Sequence, residues 1–438
     1  MKLVLRNATV VDTIGKELKP NSTVVIRGNR IEAITGSASI DEPDSKVIDC
    51  EGKYLLPGLM DMHVHLHYGH HTGPSQENPT PNFLPKNEEA GLISRLHSFL
   101  YCGVTSIYDA GNVAEQIFSL RDSERSEGMV SPRIFCAGSI VTCPGGHGSQ
   151  LSTHIASLPM DETKLADHLA KNPDIVKVTY DEHNWGIRPL IPILSIETLR
   201  GIVDYCHSKK FRVTAHVSNE IRAREAVSCG VDALAHPVIQ SPVTSEFVWL
   251  LSVKKIPVVS TLAIGERYSR LADHPEYLDQ PLYKDCMEES ERLELKTEES
   301  NKQKANRWAI WMKTMTPVAQ DNLRRLVEAG AVVATGTDLS FGPDYHRELE
   351  LLQDGGVAPM DIIVAATHGS AAFLGKEKEM GAIRIGYLGD LLLVEEDPTK
   401  DIRNLQKISV VIKDGRVVDR SKLSLPVNGA QILQGVGA

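Results

Sequence analysis

The rest of the chain can be placed outward from residues 58–66, GLMDMHVHL. An apolar run of this length after Pro57 reads as a buried strand. Side chains alternate along a strand, so His63 and His65 share one face at its C-terminal end. The chain continues as HYGHH, and histidine fills five of the nine positions from 63 to 71. An imidazole buried without a partner is unfavourable, so a cluster this dense raises the question of which rings hold a metal.

Upstream, residues 1–56 read as short strands: LVLRNATVVD, STVVIRGNRIEAI and KVIDCEGKYLL, separated by turn residues such as Gly28-Asn29. The last sixty or so residues have the same texture, in GDLLLVEED and ISVVIKDGRVVD. Asp414-Gly415 between VVIK and RVV is a strong hairpin signal. The expectation is one small β-sandwich domain built from both termini, residues 1–57 and 378–438.

Downstream, residues 58–377 alternate strand and helix. Strand candidates are residues 58–66, 104–110, 133–138, 174–180, 211–217, 231–236, 256–261 and 331–338, eight in all. Helical stretches such as SIETLRGIVDYCHSKK and EIRAREAVSCG follow most of them. Eight strand-then-helix units predict an α/β fold, a (β/α)₈ TIM barrel. The other candidate, a doubly wound open sheet, lacks a GxGxxG after an early strand. Residues 262–316 form a charged helical insertion, read either as a solvated excursion or as a lid or oligomer contact over the catalytic face. Trp308 and Trp311 give it an apolar edge.

The chain has 438 residues, 42% hydrophobic and 24% charged, with a formal net charge of -10. This is globular composition with room for a large core. No basic tract suits nucleic acid, and no apolar run reaches membrane-spanning length. The N-terminus, MKLVLRNATVVDT, alternates like a strand and lacks the features of a signal peptide. Seven scattered cysteines with no paired spacing read as reduced thiols in a cytoplasmic protein. The expected partners are a small-molecule substrate and copies of the same chain in a homo-oligomer, with neither nucleic acid nor membrane.

Six polar residues mark the C-terminal ends of five strand candidates: His63 and His65, Lys177, His216, His236 and Asp338. Barrel enzymes carry their chemistry at that end. A lone strand-end His is more often a hydrogen-bonded structural residue, and a lone inward Lys usually pairs or snorkels. Four His and one Asp converging on one mouth are better explained as ligands of divalent first-row metals, zinc by default. An ammonium beside two cations would be disfavoured. Carboxylated by CO₂, Lys177 becomes N6-carboxylysine, whose oxygens can bridge two metal ions. His67 continues the i+2 register into the first loop, and His70 and His71 read as loop residues near the mouth. His346, opening a helix in DYHRELELL, reads either as an ordinary first-turn residue or as a substrate contact.

This ordered set resembles the amidohydrolase superfamily along nearly the whole chain. PGLMDMHVHL and GDLLLVEEDP are similar to that family's lead-in to the barrel and its return to the β-sandwich. The resemblance implies that His63, His65 and Asp338 bind one metal, and that His216 and His236 bind the other. Carboxylated Lys177 and a hydroxide would bridge them. GVTSIYDAG, PRIFCAG, CPGGHGS, VKVTYDE and REAVSCGVDALAHP resemble the imidazolonepropionase-related prolidase and Xaa-dipeptidase branch. In that branch His147 matches a substrate contact. Many of its dipeptidases carry a Tyr two residues after the strand-five His, where this chain has Ser218. Arg188 could supply the carboxylate contact instead. The expected substrate is a dipeptide or N-acyl amino acid; the alternative is a neutral amide, carbamate or urea.

The expected reaction is metal-assisted amide hydrolysis. Asp338 would take the proton from the attacking hydroxide and deliver it to the leaving nitrogen. No GxSxG elbow or Cys-centred motif supports a covalent route. A deaminase of the same superfamily would use a Glu after the strand-five His, and Glu220 lies four residues beyond His216. A lactonase or organophosphate hydrolase would share the metal set. A non-enzymatic descendant would be expected to have lost ligands, and none is missing.

Overall fold

The computed structural model describes residues 2–36, 45–66, 89–126, 129–183 and 189–427. Both ends of the chain meet in one eight-stranded sheet. Lys2–Asp12 pairs antiparallel with Glu17–Arg27, which pairs with Arg30–Thr35. Along its other edge Lys2–Asp12 takes Ser45–Asp49 and then Tyr54–Pro57, both parallel. Tyr54–Pro57 receives Leu391–Val394 antiparallel, and Ile408–Lys413 and Arg416–Val417 complete the sheet. The last hairpin turns at Asp414-Gly415, both at positive φ (51° and 70°), as the twist of a two-residue hairpin demands. Leu3, Leu5, Val24, Ile26, Leu55, Leu391 and Ile412 form this sheet's own buried cluster.

One residue, Gly58, separates this sheet from the strand Leu59–Val64. A Cβ there would lie 2.1 Å from Thr105 Oγ1, so only glycine lets the chain pass. Leu59–Val64, Val104–Asp109 and Arg133–Cys136 form a parallel three-stranded sheet. A seven-stranded parallel sheet follows in the order Ser152–His154, Ile140–Thr142, Val176–Thr179, Val213–His216, Ala233–Ala235, Val258–Val259, Val333–Ala334. Backbone hydrogen bonds link the two sheets on both flanks. Met62 N donates to Thr335 O (2.8 Å) and Asp338 N to His63 O (2.7 Å), while Asp174 N donates to Cys136 O (2.9 Å).

The strands lie inside all eight expected stretches but are shorter; 256–261 and 331–338 each keep two residues in the regular ladder. Ile140–Thr142 and Ser152–His154 are additional parallel strands beyond those eight. The helices follow from local sequence. In Ile196–Ser208, buried Leu199, Ile202, Val203 and Cys206 recur at three- and four-residue spacing and join strand residues Val176, Val178, Val213 and Ala215 in the main core. Each such Leu or Ile contributes about 1.5–3 kcal/mol on burial. Ser195 starts the helix by accepting a hydrogen bond from Thr198 N at 3.1 Å.

The insertion after Val258–Val259 is helical and has an interior of its own. Leu271, Tyr277, Tyr283, Cys286, Met287 and Leu295 pack with Leu100, Cys102 and Leu423. Its expected end at residue 316 falls inside the 22-residue helix Arg307–Glu328, which runs on through Pro317. Trp308 is half-buried and meets Tyr268 edge-on at 4.7 Å. All seven cysteines are buried and unbridged. Among the described residues no helix is long and apolar enough to cross a membrane.

Candidate metal centre

Parallel strands deliver their C-terminal ends to one side, and the register sets which side chains arrive together. Thr179 pairs with His216, and His216 with Ala235, the residue before His236. At His236 and Asp338 the backbone leaves the ladder through left-handed conformations, with φ of 79° and 59°. Such residues cost about 1 kcal/mol or more and persist where the surroundings fix them; here the Asp338 N–His63 O hydrogen bond does so.

Lys177 Nζ lies 3.1 Å from His63 Nε2. Asp338 Oδ1 lies 3.2 Å from His65 Nε2 and 3.6 Å from His63 Nε2. Ligand atoms of His63, His65 and Asp338 all fall within 4.8 Å of one another. The His236 ring lies 4.6 Å from that of His63 and 4.5 Å from that of His216. His147 stacks on His216 at 4.3 Å with 25° between the planes. Thus His63, His65, Lys177, His216, His236, Asp338 and His147 are brought together, and all but Asp338 and His147 are buried.

The donor chemistry of this cluster suits metal ions. His65 Nδ1 lies 2.8 Å from the carbonyl of Gly111. A carbonyl only accepts, so Nδ1 carries a proton and Nε2 is the nitrogen available to a metal. Nε2 faces a carboxylate oxygen at 3.2 Å, a contact that needs a proton or a metal ion shared between the two atoms. Burial, with the neighbouring Lys177, His65 and His216, holds His63 well below the ordinary histidine range. Burial does the same for His236, reinforced by His216 and His63. Burial also lowers His216, against the pull of Asp181. Burial brings the Lys177 amine down to about 7, although Asp338 and Asp109 oppose it. Deprotonated nitrogens are what a metal requires of its ligands.

Behind these groups stand residues that sequence reasoning did not single out. Asp61 accepts from His63 N (3.2 Å), Thr337 N (3.0 Å) and Thr337 Oγ1 (2.7 Å), tying the first strand to the turn that carries Asp338. Burial raises its carboxyl well above the ordinary range. Asp109 accepts from Leu66 N, Gly111 N and Asn112 Nδ2 at 2.8–3.1 Å and so fixes the turn whose carbonyl holds His65. Thr261 Oγ1 lies 2.9 Å from His236 Nδ1, and buried Glu348 braces that turn through Ser260 Oγ and Ala263 N. Asp181 Oδ2 lies 3.2 Å from His216 Nε2. Burial alone would raise Asp181, but the His216 hydrogen bond and charge and the His183 backbone hold it well below the carboxylate range. Asp61 and Asp109 were available to the alternation that singled out His63 and His65, being two residues before His63 and the last residue of the second strand.

Ser218 and His346 have intramolecular partners. Ser218 is fully buried, donating to Asp181 Oδ1 at 2.8 Å and accepting from Gln240 Nε2 at 2.9 Å, so its hydroxyl is not turned to a substrate. His346 is buried with Nε2 3.0 Å from the carbonyl of Cys102. Cys102 precedes the strand Val104–Asp109, at the end opposite the cluster. Glu220 accepts from Arg224 Nε and Thr244 N, both at 2.7 Å, on the helix Glu220–Ser228, so the carboxylate that the deaminase reading would use is engaged there. Arg188, His67, His70 and His71 lie outside the described residues.

The chain is 25% identical over 447 residues to ochratoxinase of Aspergillus niger, covering 89% of this chain and 81% of that protein. It is 23% identical over 426 residues to imidazolonepropionase of Legionella pneumophila (strain Paris), covering 89% and 91%. Its fold is similar to a crystal structure of a Xaa-Pro dipeptidase with bound methionine in the active site, with a TM-score of 0.74, 23% identity and coverage of 95% of this chain and 100% of that one. The family model described as the amidohydrolase family matches residues 54–418, a span that contains every strand contributing to the cluster. The chain therefore belongs to the amidohydrolase family and is a hydrolase.

Proposed function

We propose that this protein is a binuclear metal-dependent amidohydrolase that cleaves the amide C–N bond of a dipeptide or N-acyl amino acid. The observation that carries the reading is the convergence of His63, His65, Lys177, His216, His236 and Asp338, with Lys177 Nζ 3.1 Å from His63 and Asp338 Oδ1 3.2 Å from His65. The strand positions and the hydrogen bonds on both flanks support a closed (β/α)₈ barrel with this cluster at its C-terminal mouth. The eight-stranded sheet of residues from both termini supports a separate β domain.

His63, His65 and Asp338 would hold one divalent ion, zinc by default, and His216 and His236 a second, with Lys177 as N6-carboxylysine between them. The neutral amine is the form that adds CO₂, and burial keeps Lys177 near that form. The ions supply Lewis acidity and make water a competent nucleophile near neutral pH. Asp338 Oδ1 holds the proton released by the attacking water and passes it to the leaving nitrogen. His147, stacked on His216, is placed to border the substrate.

The similarity to a dipeptidase structure supports a free-acid substrate, and structures of molinate hydrolase and phenylurea hydrolase B with TM-scores of 0.76 and 0.74 support the neutral alternative. Ser218, which stands where many dipeptidases of the branch carry a Tyr, is enclosed between Asp181 and Gln240. The test is a hydrolysis panel with metal-replete enzyme: Xaa-Pro and other dipeptides, N-acyl amino acids, their carboxamides, carbamates and ureas. Preferred turnover of free acids is expected. Turnover of carboxamides or ureas alone would overturn the substrate assignment.

A further inference from the structure

Four side chains from three consecutive strand ends form one hydrogen-bonded chain that converges on Asp181. Gln240 Nε2 donates to Ser218 Oγ at 2.9 Å, Ser218 Oγ donates to Asp181 Oδ1 at 2.8 Å, and Asp181 Oδ2 meets His216 Nε2 at 3.2 Å. Asp181 also accepts from His183 N at 3.0 Å. The backbone runs alongside. Tyr180 N donates to His216 O at 2.9 Å and Ile239 N to Ser218 O at 3.0 Å. Asp181, Ser218 and His216 are buried.

The hydroxyl has one proton, and Asp181 receives it, so the lone pairs of Ser218 face Gln240. A carboxylate only accepts, so the proton between Asp181 and His216 belongs to Nε2. The neutral ring is then the Nε2–H tautomer, and a metal bound to His216 uses Nδ1. His236 is tied at the opposite nitrogen, Nδ1, by Thr261 Oγ1, and a hydroxyl can donate or accept, so it leaves that tautomer open. His216 is thus fixed by a charged acceptor. Carboxylate partners of this kind orient a ligand ring and raise its basicity, and losing one typically lowers metal affinity 10- to 100-fold.

We propose that Asp181 is a positioning residue for the second metal ion, that Ser218 and Gln240 hold it in place, and that residue 218 thereby acts on metal occupancy and not on substrate selection. This rests on the binuclear reading above.

The test uses the full-length protein stripped of metal and titrated with Co²⁺, followed by its visible absorption and by calorimetry. Wild type is expected to take up two ions. Asp181→Ala and Asp181→Asn should keep the first and weaken the second by at least about 10-fold. Ser218→Ala, which removes the bond to Asp181 and the one from Gln240, and Gln240→Leu, which removes only the bond to Ser218, should weaken the second ion by a few-fold and leave the first unchanged. Circular dichroism and melting establish that each variant is folded. If the Asp181 variants misfold, Ser218→Ala and Gln240→Leu still decide. Two-ion uptake with unchanged affinities in the folded variants would overturn the positioning role alone. Uptake of one ion by wild type would overturn the binuclear reading and this proposal with it. Equal weakening of both ions would mark the chain as general scaffolding and also overturn it.

Discussion

His65 presents Nε2 to Asp338 Oδ1 at 3.2 Å while its Nδ1 is held by the carbonyl of Gly111 at 2.8 Å. The ring cannot rotate to relieve that contact without losing the carbonyl bond. A metal ion shared by the two atoms would link folding to metal binding. Chelator-stripped enzyme is expected to melt below enzyme reloaded with zinc. At a free ion concentration 100-fold above Kd, a single site adds about 2.7 kcal/mol, enough to move the melting temperature by several degrees. Equal melting temperatures before and after reloading would contradict a metal at His65.

Lys177 sits 3.1 Å from His63 Nε2 with its amine brought down to about 7 by burial. If Lys177 is the proposed bridging carbamate, Lys177→Ala is expected to have lower metal content and activity, and short carboxylic acids should restore part of both. The pH dependence has a definite sign. The folded amine titrates near 7 against an ordinary value of 10.5, so the unfolded chain binds more protons between those values. The penalty is fully present below about pH 7 and is relieved as pH rises through that window. Metal-free wild type should therefore gain stability toward alkaline pH relative to Lys177→Met, and reconstitution should slow below pH 7 and without bicarbonate. Bicarbonate-independent reconstitution would count against the carbamate.

The strand-end residues were legible because alternation and chain order are properties of the sequence alone. Strand ends were not, because His236 and Asp338 leave the ladder at positive φ, a choice dictated by neighbouring turns. Ile140–Thr142 was hidden by its three-residue length and the glycine-rich segment after it. The partners of Ser218 were not legible because they are distant: Asp181 lies 37 residues before it and Gln240 22 after. His346 is near Asp338 in sequence, but its helix turns it to a carbonyl 244 positions away. Local pattern located the clustered side chains, and long-range hydrogen bonding decided what surrounds them.

Asp338 is the one carboxylate of the cluster with appreciable exposure, its side chain 18% accessible, as a group that exchanges protons with a substrate should be. Asp338→Asn preserves shape but cannot carry the proton. The variant is expected to fold, with kcat lowered on the order of 10²-fold or more and KM little changed. A kcat near that of wild type would remove Asp338 from the proton-transfer role.

Glu348 links stability to pH through the turn that supports His236. Its carboxyl accepts from Ser260 Oγ and from Ala263 N at 2.6 Å, on either side of Thr261, whose hydroxyl meets His236 Nδ1. Burial raises its pKa from 4.5 to about 7, although Ser260 and the Leu262 and Ala263 backbone oppose the shift. The folded state therefore binds the extra proton between those values. The stabilising contribution is whole below about pH 4.5 and is lost as pH rises through about 7. For a fully buried group this is on the order of 3 kcal/mol. Glu348→Gln has the same shape and no titration. Wild type should lose stability relative to Glu348→Gln as pH rises from 5 to 7, and the difference should level off above that. Parallel stability curves for the two proteins across this range would show that Glu348 stays in one protonation state, and the turn beneath His236 would then be insensitive to pH.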